Sequence, residues 1–493
     1  MAEADTAKAT RFETVIGLEC HVELSTATKM FCGCLNAFGA PPNTNVCPVC
    51  LGHPGTLPVP NEKAIEYTIK IGLALGCRIA PHSIFHRKNY FYPDMPKNFQ
   101  ISQYDLPLCV GGHLDIEVDG ETHRVGITRV HLEEDTGKTV HGGATGRIGG
   151  AEYALEDYNR AGVPLVEVVS EPDMRSAEQA RAYLTELRAT LESLGVSDVR
   201  MEEGSLRCDA NVSLRRPGSE ELGTKIEIKN LNSIRSLYRA LNFEEERQQV
   251  ALERGEPLIQ ETRHWDEGKG ITTHGRSKEY AFDYRYFPEP DLAPLEPDPQ
   301  WIETLRAELP ELPAARRRRF QDELGLSAHQ AGLVASSAEW ARFFEATVSA
   351  GADPRAAANW MTGDLAALLR ETHQSLTAAK VTPEHLAELV KLLDEQVISS
   401  AGAKVALAEA FATGASVDAV VEAKGLRQVG DSEALGGMIE QVIEENPAPV
   451  EQFRKGKEGV LGFLVGQVMK KSGGAANPKV AAELLRERLS GSG

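Results

Sequence analysis

The sequence predicts an α+β protein, a strand-rich first region followed by an all-helical remainder. Residues 12 to about 295 consist of short segments alternating apolar and polar residues, broken by prolines and turns. From about 298 onward Ala, Leu, Glu and Arg recur at helical spacing. Between them, PEPDLAPLEPDPQ (288–300) holds five prolines and excludes regular structure. With 493 residues the chain is too long for one ordinary core. Three domains are expected: 12–295, a helical domain over 298–410, and a tail over 411–493, with NPAPVEQFRKGKEG punctuating the last helices.

The elements follow from local pattern. In VIGLECHVEL (15–24), Ile16, Leu18, Cys20, Val22 and Leu24 share one strand face, and Glu19, His21 and Glu23 the other. SLRCDANVSLR sets Leu206, Cys208, Ala210, Val212 and Leu214 against Arg207, Asp209, Asn211 and Ser213. KIEIKN sets Ile226 and Ile228 against Lys225, Glu227 and Lys229. HLEEDTGK (131–138) and PLVEVVSEPD (164–173) add Glu133, Glu134, Asp135, Glu167 and Glu171. In SAEQARAYLTELRATLESLG, Ser176 and Gln179 suggest a capping box and Gly195 a helix C-terminus. A second helix is expected from near Asn232 to about Arg254. The run HGGATGRIGG (141–150) reads as a hairpin tip in preference to a phosphate cradle.

The N-terminus lacks the basic start and apolar core of a signal peptide, and no apolar run is long enough to span a bilayer, so a cytoplasmic, reducing setting is expected. There, paired cysteines favour metal or redox chemistry over disulfides. Four of the eight cysteines fall in FCGCLNAFGAPPNTNVCPVC. Cys32, Cys34, Cys47 and Cys50 supply four thiolates, which suits a closed structural zinc site with no open catalytic position. Cys20, Cys77, Cys109 and Cys208 read as core thiols. The net charge of −19 argues against indiscriminate nucleic-acid binding but leaves room for a local basic patch.

Carboxylates on several strands repel one another unless a cation compensates them. Oxygen ligands with one imidazole suit Mg²⁺ or Mn²⁺. Arg87, Lys88, Arg207, Lys225 and Lys229 lie among these acids, and metal-bound carboxylates with Lys or Arg are what phosphoryl transfer from ATP requires. No Walker A motif is present.

The segments ETVIGLECHVEL, RKNYFYPDMPKNFQISQYD, GITRVHLEEDTGK, AGVPLVEVVSEPDMRS, MEEGSLRCDANVSLR, EIKNLNS and DYRYFPEPD resemble the B subunit of the bacterial glutamyl/aspartyl-tRNA amidotransferase. GFLVGQVMKKSGGAANPK is similar to that family's tail, so the likeness runs from Phe12 to about Arg488. It implies an antiparallel-sheet cradle, a helical domain and a small helical tail. It also implies an activity: ATP phosphorylates the side-chain carboxyl of Glu on tRNA(Gln) or Asp on tRNA(Asn), and ammonia then forms the amide. By motif position, Glu19, His21, Glu134, Glu167 and Asp209 become the expected catalytic Mg²⁺ cluster, while Lys88, Arg207 and Lys229 are nominated as phosphate contacts. Some family members lack the four cysteines, which agrees with a supporting zinc.

The chain has neither an amidase serine signature nor a Cys-His glutaminase pattern, so ammonia must come from a partner. The resemblance names an amidase A subunit, with a small C subunit bracing the pair, and leaves a non-discriminating aminoacyl-tRNA synthetase open as a further partner. Arg316–Arg319 and the cluster Lys455, Lys457, Lys470 and Lys471 are candidate tRNA contacts. The competing reading is a non-catalytic tRNA-binding scaffold, which has no need of converging acids.

Overall fold

The computed structural model describes residues 12–143, 151–277, 284–428, 432–472 and 476–490. The chain divides into two compact units, residues 1–313 and 314–493.

The first unit is built on strands β1 (Glu13–Glu23), β2 (Arg78–Ile79), β3 (His86–Asn89), β4 (Phe99–Ser102), β5 (Cys109–Val110), β6 (His113–Val118), β7 (Glu121–Glu134) and β8 (Lys138–Gly142). It continues with β9 (Tyr153–Asp157), β10 (Pro164–Ser170), β11 (Leu206–Arg215), β12 (Ile226–Lys229), β13 (Glu261–Asp266), β14 (Ile271–Ser277) and β15 (Phe287–Pro288). Among the described residues a ten-stranded sheet runs β14-β13-β12-β11-β1-β10-β7-β5-β2, with β6 paired to β7. A three-stranded sheet, β15-β3-β4, and the hairpin β8-β9 complete it. The hairpin brackets the glycine run, whose residues 144–150 lie outside the described residues.

Every pairing in the large sheet is antiparallel except β12 with β13. The reason is local. Helix α3 (Ile234–Glu253) lies between those two strands, and a helical crossover is what returns a chain parallel to itself.

Before it in the chain come α1 (Glu62–Ala74) and α2 (Ala177–Leu194). Helices α2 and α3 pack on each other, α2 also on β6 and α3 on β11. Ala180, Tyr183, Leu184, Leu187 and Leu191 of α2 are fully buried in the same core as Ile16, Leu18, Cys20 and Val22. Truncating one such leucine to alanine costs roughly 2–5 kcal/mol. Ser176 Oγ accepts from the Gln179 N–H, but Gln179 Oε1 accepts from the Arg175 N–H, so the box is not reciprocal. Gly195 closes α2 at φ 67°.

Two boundaries differ from the compositional reading. Helix α4 (Pro299–Ala307) packs on α1 and buries Leu305 in the first core, so the first unit extends past the proline-rich break. In the second unit the helix Ser400–Thr413 runs through residue 410, and Val417, Val420 and Val421 complete its core. A separate small core begins only at Leu435 and ends at Leu489.

Candidate active-site face and cysteine knuckle

The polar face of the large sheet is set by register. His21 on β1 lies opposite Glu167 on β10 and Arg207 on β11, and Glu167 lies opposite His131 on β7. One step along, Glu19 faces Asp209. Strand alternation therefore aligns side chains from four strands on one surface while Leu18, Cys20, Val166 and Val168 fill the core behind it.

Three groups form on that face. In the first, His21 Nε2 is 3.6 Å from Glu133 Oε1 and 3.9 Å from Glu167 Oε2. A second imidazole, the buried His131, stands 3.1 Å from Glu167 through Nε2, and Ser102 Oγ donates to Glu133 at 3.2 Å. Burial opposes ionisation of Glu167, but His131, His21 and Lys88 outweigh it and hold its carboxyl below the usual range. In the second group, Lys229 Nζ donates to Asp209 at 2.6 Å and lies 3.5 Å from Glu227, while Asn211 Nδ2 donates to Glu19 at 2.9 Å. The third is a carboxyl pair. Burial and the neighbouring Asp135 push Glu23 up to about 8, whereas Asp135 stays ionised against burial because Arg207 (2.8 Å) and Arg160 (3.5 Å) face it.

Glu134 does not join them. Glu133 and Glu134 are consecutive on β7 and so project to opposite faces. Glu134 turns behind the sheet, accepts from the Ile101 N–H at 2.9 Å and pairs with Lys97. Both side chains are buried, 8 % exposed for Lys97 and 2 % for Glu134. Of the expected cluster, the structure brings His21 and Glu167 together with Glu133, sets Glu19 opposite Asp209 alongside, and places Glu134 on the other side.

Glu134 instead lines a cavity of about 290 Å³ with Lys97, Phe31, Cys32 and Cys50. The four knuckle sulfurs lie within 4.8 Å of one another. Cys50 Sγ accepts from the Cys47 N–H at 3.2 Å, and Lys29, fully buried, reaches it at 3.7 Å. Gly162 (φ 86°) lies against this corner. A Cβ there would stand in ordinary contact, 3.4 Å from that of Cys50 and 3.5 Å from Lys29 Cδ, so it is the left-handed conformation and not a lack of space that favours glycine.

Lys88, on β3, lies beside the first group. Its ammonium is 4.9 Å from the Tyr284 ring, and against desolvation the charges of Glu133 and Glu167 keep it protonated. Arg87, next to it, points away and is held by Glu289 at 2.6 Å.

Residues 14–303 match the sequence family described as the GatB/GatE catalytic domain, and residues 342–489 match the one described as the GatB domain. The chain belongs to the GatB/GatE family. It is 55% identical over 478 residues to the B subunit of the aspartyl/glutamyl-tRNA(Asn/Gln) amidotransferase of Moorella thermoacetica, covering 97% of this chain and 100% of that one. The corresponding subunit of Caldanaerobacter subterraneus is 53% identical over 480 residues, again 97% and 100%. That of Thermosynechococcus vestitus is 53% identical over 483 residues, 97% and 96%.

In this GatB/GatE chain each donor set suits a particular class of ion. A tetrahedron with zinc–sulfur bonds of about 2.3 Å has edges of about 3.8 Å, so the knuckle fits zinc. His21, Glu133 and Glu167 offer one nitrogen and carboxylate oxygens within 4.8 Å, which suits a hard divalent cation. His131 and Lys97 are not among the residues singled out from the sequence, and Glu133, named there as one of the strand carboxylates, is not in the expected Mg²⁺ cluster. His131 and Glu133 had a signal: Val130 and Leu132 are apolar, so alternation assigns both to the polar face and Glu134 to the other.

Elsewhere among the described residues, no helix is long and apolar enough to cross a membrane. Arg319 pairs with Glu345, Lys455 with Glu451 (2.7 Å) and Lys471 with Glu445 (2.6 Å), so those basic side chains partly answer neighbouring acids.

Proposed function

We propose that this chain is the activating subunit of a glutamine-dependent, ATP-consuming tRNA amidotransferase. It phosphorylates the side-chain carboxyl of Glu on tRNA(Gln), Asp on tRNA(Asn), or both, and then admits ammonia to form the amide. The observation that carries this is the juxtaposition of His21, Glu133 and Glu167 with the Lys88 ammonium on one sheet face. The full-length likeness to B subunits of tRNA amidotransferases supports the same reading.

His21, Glu133 and Glu167 would hold a Mg²⁺ ion. Bound there, the ion supplies positive charge that draws phosphate oxygens together and offsets the charge of the transferring group. Lys88 orients the same phosphates, and His131 keeps Glu167 turned toward the ligand position. Glu19 and Asp209 flank this centre. Lys229 and Arg207, now held by Asp209 and Asp135, are the cations that exchange onto ATP as it enters. A carboxylate is a poor acyl donor because oxide leaves badly; the acyl phosphate has a leaving group that these cations stabilise. Cys32, Cys34, Cys47 and Cys50 would hold a structural zinc that staples a loop-rich wall.

Ammonia comes from an amidase partner subunit, a small third subunit braces the pair, and the complex works in the cytoplasm. A scaffold without chemistry of its own leaves two glutamates buried around His21 and a half-buried lysine beside them unexplained. The deciding experiment is ATP hydrolysis by the reconstituted complex with and without misacylated tRNA. Hydrolysis stimulated by the charged tRNA and matched by amide formation supports the reading; amide formation with no ATP consumed overturns it.

A further inference from the structure

The small sheet β15-β3-β4 carries an aromatic surface that the activation chemistry does not use. Tyr104 and Tyr286 stack with centroids 4.4 Å apart and planes 8° from parallel. His86 meets both edge-on, at 6.1 and 6.4 Å, and Tyr284 meets Tyr286 edge-on at 6.0 Å. The stack is anchored from beneath: His86 is 4 % exposed and its Nε2 lies 3.1 Å from Asp105, while its Nδ1 is buried with no hydrogen-bond partner among the described residues. At the outer end Tyr104, backed on one side by Tyr286, is 56 % exposed. Phe91 and Tyr92, in the loop that follows β3, are also exposed.

A lone exposed tyrosine needs no explanation. This one is the free end of a pre-stacked column, and the column leads to the charged face. Tyr284 lies under the Lys88 ammonium, and the charges of Glu133 and Glu167 reach Tyr286. An exposed ring, then an ammonium, then a carboxylate cluster suited to a divalent cation is the order of groups that a nucleotide presents: base, phosphate and reacting end. The exposure of Tyr104, with Phe91 and Tyr92, suits the unpaired end of an RNA, because small-molecule nucleotide sites are concave and enclose their base.

We infer that Tyr104, backed by Tyr286 and His86, is a stacking platform for the terminal base of the single-stranded 3′ end of the tRNA, holding the acylated ribose toward Lys88 and the carboxylate cluster. This rests on the proposed activation of aminoacyl-tRNA. It adds a contact that positions the substrate through a base and leaves both the carboxyl and the phosphates free to react. Stacking tolerates any base, so the shelf supplies reach and orientation, and discrimination between tRNAs lies elsewhere.

The test uses the complete complex and two variants, Tyr104→Ala and Tyr104→Phe. The probe is a tRNA whose terminal adenine is replaced by 2-aminopurine, whose fluorescence is quenched on stacking. Wild type and Tyr104→Phe are expected to quench it; Tyr104→Ala is expected to lose the quench and to raise KM for misacylated tRNA roughly 5- to 100-fold with KM for ATP unchanged. A raised KM for ATP with quenching intact would overturn the inference and make ATP's own adenine the occupant. Unchanged quenching and unchanged constants would also overturn it, leaving the shelf as a surface for another protein. Loss in both variants, with equal melting temperatures, would assign the effect to the hydroxyl and overturn stacking. If the wild-type complex made no amide at all, activation itself would fail, whereas a normal wild-type rate with an indifferent Tyr104→Ala sinks only the shelf.

Discussion

Glu133 and Glu134 are neighbours of identical chemistry, and their environments predict opposite consequences for the same substitution. Glu133→Gln keeps the shape, the Ser102 contact and the burial, but removes one of two carboxylates that would face the cation beside His21. Amide formation should fall about 10²–10⁴-fold, the scale on which deleting one group that stabilises transition-state charge acts. Stability should hold or rise slightly, because one of two like charges around His21 is gone. Glu134→Gln strips the partner from a lysine with only 8 % of its side chain exposed. An uncompensated buried charge costs roughly 3–5 kcal/mol, which at about 2–3 °C per kcal/mol lowers Tm by roughly 6–15 °C. The assay pairs calorimetry with ATP-dependent amide formation and, in parallel, glutamine hydrolysis by the partner. Full activity in Glu133→Gln, together with a native Tm and lost activity in Glu134→Gln, would refute the assignment of faces.

The knuckle should yield one zinc per chain by elemental analysis, and Cys47→Ser should lower Tm much more than the rate of the surviving protein, because a closed site offers no catalytic position. Removing the chain after Gln428 spares the core that ends near Leu426. It should weaken tRNA binding with tRNA-independent ATP turnover unchanged, and the salt dependence should fall by about one unit for each phosphate that Lys455, Lys457, Lys470 or Lys471 had neutralised. The Glu23–Asp135 pair predicts a pH effect. Glu23 has a folded pKa of about 8 against an ordinary 4.5, so its contribution is complete below pH 4.5 and is lost as pH rises through 8. Glu23→Gln cannot titrate; its Tm should therefore gain on wild type between pH 5 and 8, and parallel Tm curves would disprove the raised Glu23 pKa.

The alternation of VIGLECHVEL and SLRCDANVSLR was enough to place Glu19 with His21 on one face of their strand and Arg207 with Asp209 on one face of theirs, because a strand's side chains repeat every two residues whatever the strand pairs with. The cysteine spacing was likewise sufficient to bring four thiols together, since each half is closed by a tight local turn. The α+β class and the cap at Ser176 are of the same local kind. What the sequence alone left open is everything that depends on which strands meet. Glu167 faces His21 only because β10 lies beside β1 in that register, and Lys88 reaches the cluster only through a separate small sheet. The split of Glu133 from Glu134 needed the phase of β7, which Val130 and Leu132 could have supplied. Lys97, Lys29 and the Tyr104–Tyr286 stack had no such signal. Their partners are 37, 21 and 182 residues distant in sequence, and only the folded chain decides such contacts.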